Sequence, residues 1–175
     1  MTAEIVQVSI SPGGVPKLPV AEAEVGVMGL AGDGHNEPPW VHGGPERALC
    51  LWSFEVIEAL NAEGHRLFPG AAGENVTIRG LDWAQVVPGS FLKLGDTVVC
   101  MVTRYTTPCR TNAGWFADGN FLRMHQDVHP GSSRVYARVI EGGIIRPGDR
   151  VLFKSAEEAA AALERQAGEH RPHED

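Results

Sequence analysis

Short segments that alternate apolar and polar residues recur along nearly the whole chain, and they constrain its fold more than any other sequence feature. Successive side chains of a strand point to opposite faces, so this alternation is typical of a half-buried sheet. Glycine, proline and aspartate residues that favour turns separate the segments. The strand candidates are residues 4–10, 21–27, 47–52, 75–80, 96–105, 134–142 and 150–154. The pattern predicts a mainly β protein, built as a closed or nearly closed β-barrel with a few short helices.

Residues 54–63 interrupt the strands with a helical pattern. Phe54, Ile57 and Leu60 fall on one face of the predicted helix, Ser53 precedes it as a candidate N-cap, and Gly64 follows as a stop. We therefore expect one helix between the third and fourth strand candidates.

The C-terminal segment is also predicted to be helical. Ser155 and Glu158 have the spacing of a capping box, and alanines fill the turns that follow. The narrow apolar stripe favours packing on the surface or contact with a partner, and a homodimer is left open. We expect one domain over residues 1–154, followed by a helix and a charged tail over residues 155–175.

The net charge of −7 argues against non-specific binding of nucleic acid, which requires a basic face. The charge is uneven, because residues 101–154 carry 8 Lys and Arg residues against 4 Asp and Glu residues. This segment would suit an anionic small ligand, such as one that bears a phosphate. The alternative is that its arginines are scattered over a solvated face.

The chain has 3 cysteines, too few for a disulfide scaffold. No signal peptide is visible ahead of the first strand candidate, and no apolar run approaches the roughly 20 residues that span a membrane. We expect a protein of the reducing cytoplasm that does not associate with membranes.

Cys109 differs from the other two cysteines in its surroundings. Cys50 and Cys100 lie in short apolar runs that predict buried strands, where cysteine acts as a small hydrophobic residue. Cys109 follows a proline and has Arg104 and Arg110 near it in sequence. An electropositive and accessible setting of this kind lowers the pKa of a thiol, so the sequence predicts a reactive thiolate at this position.

Three loops are rich in glycine, which lets backbone N–H groups approach a ligand closely. They cover residues 11–20, 29–49 and 68–76. Each loop also carries side chains suited to ligand binding, namely Lys17 in the first, Asp33, His35, His42 and Arg47 in the second, and Glu74 and Asn75 in the third. For any single loop, a tight connection between strands without a ligand is the alternative.

The order of these motifs resembles the MOSC family, named after the C-terminal part of molybdenum-cofactor sulfurases. The motifs are SPGGVPKLPV, GLAGDGH, HGGPERAL, PGAAGENV, TPCR and ARVIEGGIIRPGD, and the resemblance covers roughly residues 4–153. The chain is similar to the free-standing bacterial members, because it has neither a pyridoxal-phosphate sulfurase domain nor the separate N-terminal barrel of longer relatives. The resemblance implies a β-barrel that binds molybdenum cofactor or handles sulfur destined for metal centres.

The resemblance also implies roles for individual residues. Cys109 would be the metal ligand and catalytic residue, or a carrier of persulfide sulfur. Lys17, Arg47 and Arg110 would hold the phosphate or the edge of the pterin. The residues that would shape the pocket are His42, Gly43, Gly44, Glu74, Asn75 and Thr103.

The resemblance implies two functions, and the spacing of two histidines suggests a third. The first is a molybdenum-dependent oxidoreductase that reduces N-hydroxylated small molecules. Because the chain has neither a dinucleotide fingerprint nor a set of cluster-type cysteines, its electrons would come from a separate flavin or iron–sulfur protein. The second is a non-catalytic sulfur carrier served by a donor of the cysteine-desulfurase type. The third and least favoured is a zinc hydrolase, suggested by the i, i+4 spacing of His125 and His129.

Overall fold

The computed structural model describes residues 2–35 and 43–169, which form a mainly β protein with two α-helices and four short 3-10 helices. The strands are β1 (Glu4–Ile10), β2 (Leu18–Val20), β3 (Ala23–Gly26), β4 (Gly29–Leu30), β5 (Leu49–Ser53), β6 (Val76–Arg79), β7 (Phe91–Leu94), β8 (Val98–Tyr105), β9 (Val135–Glu141), β10 (Gly143–Ile145) and β11 (Val151–Lys154). The α-helices are α1 (Phe54–Ala62) and α2 (Ala156–Glu169). The 3-10 helices are Pro45–Arg47, Trp83–Gln85, Arg110–Trp115 and Phe121–Met124.

The strands form two sheets. Eight of them pair in the order β11-β7-β8-β9-β5-β6-β1-β2, and the other three in the order β10-β3-β4. Strands β5 and β6 are parallel, and the remaining pairs are antiparallel. A parallel pair requires a crossover connection, and α1 lies in the connection between these two strands.

The expectation of a closed or nearly closed barrel is not confirmed. Within the described ranges the large sheet ends in two edges, β11 and β2, and three strands pair separately instead of joining it. A short contact does approach closure of this sheet, because an isolated bridge joins Glu4 of β1, the neighbour of the edge strand β2, to Arg150, just before β11. The N–H group of Val151 also donates to the carbonyl of Ala3. The sheet is therefore strongly curved, but its edges are not joined by a ladder.

Both predicted helices are confirmed, with their caps. The Ser53 hydroxyl accepts a hydrogen bond from the N–H group of Val56 at the start of α1. Ser155 and Glu158 bond each other's backbone N–H groups at the start of α2, as a capping box does. None of the helices in the described part of the chain has the length and apolar composition needed to cross a bilayer.

The core lies between the sheets and beneath both helices. The main cluster consists of inward-facing residues of the strands, among them Ile5, Leu49, Leu51, Leu92 and Ile145. A second cluster packs α1 against the third glycine-rich loop and against the 3-10 helices that follow Cys109, and a third packs α2 on β8 and β9. The glycine-rich loops are thus anchored on a packed sheet.

Candidate functional site

The three glycine-rich loops meet at one pocket, a cavity of about 210 Å³ that Cys109 borders. The loops contribute Lys17, Gly43, Arg47 and Asn75 to its wall. The segment after β8 contributes Cys109, so five of the residues predicted from the sequence come together here. Residues separated by more than 90 positions in the chain reach this site because β1, β5, β6 and β8 all lie in one sheet.

Cys109 is exposed at the pocket, immediately before the 3-10 helix Arg110–Trp115. Its Sγ atom lies 2.7 Å from the hydroxyl of Thr111, which also borders the pocket. The backbone carbonyl of Cys109 accepts a hydrogen bond of 3.0 Å from the N–H group of Asn112. The sulfur is therefore held in a backbone turn while remaining accessible.

The other two cysteines are buried, as the sequence predicted. Burial raises the pKa of Cys50 to about 11 and that of Cys100 to about 12, because a thiolate in the core loses its hydration. Cys50 nevertheless reaches the wall of the same pocket from β5. Cys109 is thus the exposed thiol of the three, and Cys50 is a protonated neighbour in the wall.

Lys17 is buried, and its ammonium group pairs with Asp33. The Nζ atom lies 2.5 Å from Oδ1 of Asp33, whose side chain is also buried. The Asp33 carboxylate accepts two further hydrogen bonds, from the N–H group of Ser11 at 3.0 Å and from Nδ2 of Asn75 at 2.9 Å. Because these bonds fix the carboxylate, it sets the position of the Lys17 charge at the pocket.

Asn75 joins this network to the sheet. Its Oδ1 atom accepts from the N–H group of Cys50 at 3.0 Å, and its own N–H group donates to the carbonyl of Cys50 at 2.7 Å. Its backbone φ angle is not positive, so the residue does not serve as a left-handed turn. Asn75 therefore ties the Asp33 carboxylate to β5, which carries Cys50.

His35 lies against this network, with Nε2 3.9 Å from Oδ2 of Asp33. Its pKa is lowered, first by partial burial and then by the positive charge of Lys17, while Asp33 acts in the opposite direction. At neutral pH His35 is therefore a neutral imidazole at the pocket wall, able to donate or accept one hydrogen bond.

Arg134 and Tyr136 also line the pocket, and the sequence analysis missed both. Arg134 is buried and donates through Nη1 to the carbonyl of Ala72. Burial raises the pKa of Tyr136 to about 12, so its phenol stays protonated. The guanidinium of Arg47 lies over the Tyr136 ring, 5.7 Å from its centre. Arg134 and Tyr136 both lie in one of the strand candidates, and a strand pattern alone does not show which side chains reach a pocket.

Glu74 is buried beside the pocket and is absent from its wall. Its Oε1 atom accepts from the N–H group of Gly70 and from the Thr77 hydroxyl. Burial raises the pKa of this carboxyl, because the charged form would lose its hydration. Its hydrogen bonds stabilise the conformation of the third glycine-rich loop. Its position does not bring the carboxyl group into contact with a ligand in the pocket.

Three other predicted residues do not line this pocket. The Thr103 hydroxyl donates to the carbonyl of Glu46 at 2.6 Å, which fastens the second loop to β8. Gly44 caps the 3-10 helix Pro45–Arg47, and Arg110 is exposed to solvent beside Cys109. His42 lies outside the described residues.

His125 and His129 gain no third ligand in the described structure. The Nδ1 atom of His125 accepts a hydrogen bond from the N–H group of Asp127. Over residues 2–35 and 43–169, no group of three or more His, Cys, Asp or Glu side chains is arranged to hold a metal ion. The pair therefore remains a local feature of a turn.

Comparison with known sequences identifies relatives. The sequence model of the MOSC domain matches residues 38–152. The uncharacterized protein YflK of Bacillus subtilis is 30% identical over 124 residues, which cover 70% of this chain and 55% of that protein. Protein YiiM of Escherichia coli is 31% identical over 107 residues, 56% of this chain and 45% of that protein. The matches thus span about half the length of these curated relatives.

Solved structures with a similar fold include two YiiM proteins. YiiM from Geobacillus stearothermophilus superposes with a TM-score of 0.69 at 23% identity, covering 96% of this chain and 84% of that chain. YiiM from Escherichia coli superposes with a TM-score of 0.64 at 23% identity, covering 94% and 78%. At this level of identity the similarity shows a shared fold.

Proposed function

The chain belongs to the MOSC domain family, and on this premise we propose that it binds molybdenum cofactor with the Cys109 thiolate as a ligand of the metal. The observation that carries the proposal is the exposed Cys109 sulfur at a pocket whose wall also holds Lys17 and Arg47. A soft thiolate suits a molybdenum centre that the sulfur atoms of the pterin already hold.

The other groups of the pocket fit the rest of the cofactor. Lysine offers a point charge and arginine a planar fork of donors, and both are common partners of a phosphate. Lys17 is held in place by the fixed carboxylate of Asp33, so its position does not depend on the ligand. The pocket therefore combines a metal ligand with phosphate-binding groups, and the Asp33 carboxylate offsets part of their positive charge.

We propose the reduction of N-hydroxylated compounds as the reaction. The substrate takes up two electrons and two protons, its N–O bond breaks, and the products are the N–H compound and water. When bound, the cofactor supplies the two-electron chemistry, and the protein supplies binding and orientation. The electrons would come from a separate flavin or iron–sulfur protein, for which the sequence offers no internal substitute.

Metal and pterin analysis of protein made in a cofactor-competent cytoplasm tests whether the protein binds the cofactor and whether Cys109 is a ligand of its metal. We expect molybdenum and pterin to copurify with the wild-type chain, and a Cys109→Ser variant to lose most of the molybdenum. Cys100→Ala is the matched control, because Cys100 is buried and does not border the pocket. Full molybdenum content in Cys109→Ser protein would remove Cys109 as a ligand.

The exposure of Cys109 also favours a second function, that of a sulfur carrier. In this reaction the Cys109 thiolate attacks the outer sulfur of a donor persulfide, which forms a persulfide on Cys109 and releases the donor thiolate. Intact-mass analysis after incubation with a cysteine desulfurase and cysteine would then show one added sulfur atom. Loss of this sulfur in Cys109→Ser protein, with no pterin in the wild type, would select the carrier over the enzyme.

A further inference from the structure

The hydroxyl group of Thr111 lies against the Cys109 sulfur. Its Oγ1 atom is 2.7 Å from Sγ, and both residues border the pocket. A thiolate carries lone pairs and no proton, so it can only accept a hydrogen bond, whereas a hydroxyl can donate one. When Cys109 is ionised, the direction of this hydrogen bond is therefore fixed, from Thr111 to the sulfur.

The segment that carries Thr111 is held at both ends. The first turn of the 3-10 helix Arg110–Trp115 is closed by the hydrogen bond of 3.0 Å from the N–H group of Asn112 to the carbonyl of Cys109. Phe116, directly after this helix, is 3% exposed and belongs to the second core cluster. Branching at Cβ also restricts the rotamers of a threonine. The hydroxyl group is therefore in place before any ligand binds.

A hydrogen bond to a thiolate changes the chemistry of the sulfur. It stabilises the negative charge, so the sulfur gives electron density less readily to an electrophile or to a metal. Both side chains are exposed, so water competes for the sulfur while the pocket is empty. A ligand that fills the pocket excludes this water and strengthens the hydrogen bond. The contact therefore acts on the sulfur most strongly when the site is occupied.

We propose that Thr111 is a positioning residue, which donates a hydrogen bond to the Cys109 thiolate, holds the sulfur at the pocket and limits its electron donation. The inference deepens the proposed function and rests on it for the metal, because it concerns the sulfur that this function assigns to the metal. In cofactor-free protein the same sulfur is a nucleophile, and the hydrogen bond acts on it in the same way.

Alkylation of Cys109 in cofactor-free protein tests the hydrogen bond. The rate constant with iodoacetamide is measured by intact-mass spectrometry, with the pH raised until the rate reaches its plateau, where only thiolates are compared. We expect Thr111→Val to raise the plateau rate about threefold, the factor that a Brønsted coefficient of about 0.4–0.5 gives for a change of about one pKa unit. Thr111→Ser keeps the hydroxyl group and should have the plateau rate of the wild type.

The same two variants separate the hydrogen bond from steric access to the sulfur. Valine keeps the branched shape of threonine, whereas serine is smaller. If access set the rate, Thr111→Ser protein would react fastest and Thr111→Val protein would react as the wild type does. That result, or an unchanged plateau rate in Thr111→Val protein, would overturn the proposal.

Thr107→Val is the matched control. Thr107 borders the same pocket two positions before Cys109, and within the described part of the chain its hydroxyl group makes no hydrogen bond to the sulfur. We expect this variant to keep the plateau rate of the wild type. An equal rise in both valine variants would show a general effect of lost polarity at the pocket, and would also overturn the proposal. Circular dichroism checks that each variant is folded.

Redox titration of the loaded protein extends the test to the metal. Thr111→Val protein made in the cofactor-competent host should keep the molybdenum content of the wild type, because Cys109 is still present. Its reduction potential, followed by electron paramagnetic resonance, should shift to a more negative value, and Thr111→Ser should restore it. An unchanged potential in Thr111→Val protein would overturn the role at the metal. Absence of molybdenum from the wild type would instead contradict the proposed function, and the alkylation rates would then decide the inference.

Discussion

The Nζ atom of Lys17 lies 2.5 Å from Oδ1 of Asp33, and their side chains are 7% and 4% exposed. Breaking a buried pair leaves an uncompensated charge out of water, which costs about 3–5 kcal/mol. We therefore expect Asp33→Asn to lower the free energy of unfolding by about this amount, measured by urea denaturation. The variant also weakens the acceptor that Ser11 and Asn75 share, which acts in the same direction.

The ion pair of Arg146 with Glu22 provides the control. Its atoms are 2.8 Å apart, but its side chains are 53% and 54% exposed. Exposed pairs are screened by solvent, so Glu22→Gln should change the free energy of unfolding by only about 0–1 kcal/mol. Similar losses in both variants would show that burial does not set the strength of the Lys17 pair.

The sequence predicted the elements whose pattern is local. Alternation over seven residues identified β1, and the Ser155 and Glu158 spacing identified the start of α2. Strand β7 was missed because its four residues, FLKL, include no β-branched residue and have turn-forming residues on both sides. Strands β2 and β10 were missed because they have only three residues each. Closure of the sheet depends on pairing between distant edges, which no local pattern records.

The residues of the candidate site likewise divide into those that a local sequence pattern predicts and those that it does not. Lys17, Asn75 and Cys109 could be predicted to belong to a site because each lies in a loop with unusual composition. Arg134 could not, because it begins a strand candidate whose pattern is explained by the sheet alone. Its position at the pocket depends on the approach of the Ala72 carbonyl, a contact across 62 positions of the chain.

Selective alkylation should separate the three thiols. Cys50 and Cys100 are buried and their pKa values are raised to about 11 and about 12, so both stay protonated and inaccessible in the native protein. We expect iodoacetamide at mildly alkaline pH to add one group, on Cys109, and to add none to native Cys109→Ser protein. Intact-mass spectrometry measures the count, and unfolded protein should take up three groups. A second adduct on native protein would contradict this prediction, and its location on Cys50 by peptide mapping would show that this wall of the pocket opens.

His35 should make the protein less stable in mild acid. Its folded pKa is lowered from 6.5, so below about pH 6.5 the unfolded chain binds a proton that the folded chain does not. The contribution of His35 to the free energy of unfolding is therefore complete above that pH, and it falls as the pH drops toward the pKa of the folded state. Urea unfolding of wild type and His35→Gln at about pH 8 and about pH 6 should show a larger acid loss in the wild type. Parallel curves for the two proteins would refute this contribution.

A side chain at Gly70 should lower the free energy of unfolding, because the backbone of this residue lies against the backbone of Lys17. Its φ angle is +89°, and an added Cβ atom would run into the carbonyl oxygen of Lys17, whose N–H group donates to Gly70. Gly89 has a similar φ of +93° but nothing near its missing side chain, so Gly89→Ala carries only the left-handed strain of about 1–2 kcal/mol. Gly70→Ala adds a backbone clash, and we expect it to cost about 1–3 kcal/mol more in urea unfolding. Because that clash displaces Lys17, Gly70→Ala protein should also lose pterin in the cofactor-competent host, whereas Gly89→Ala protein should retain it. Equal unfolding free energies for the two variants would contradict the close approach of the loop to Lys17.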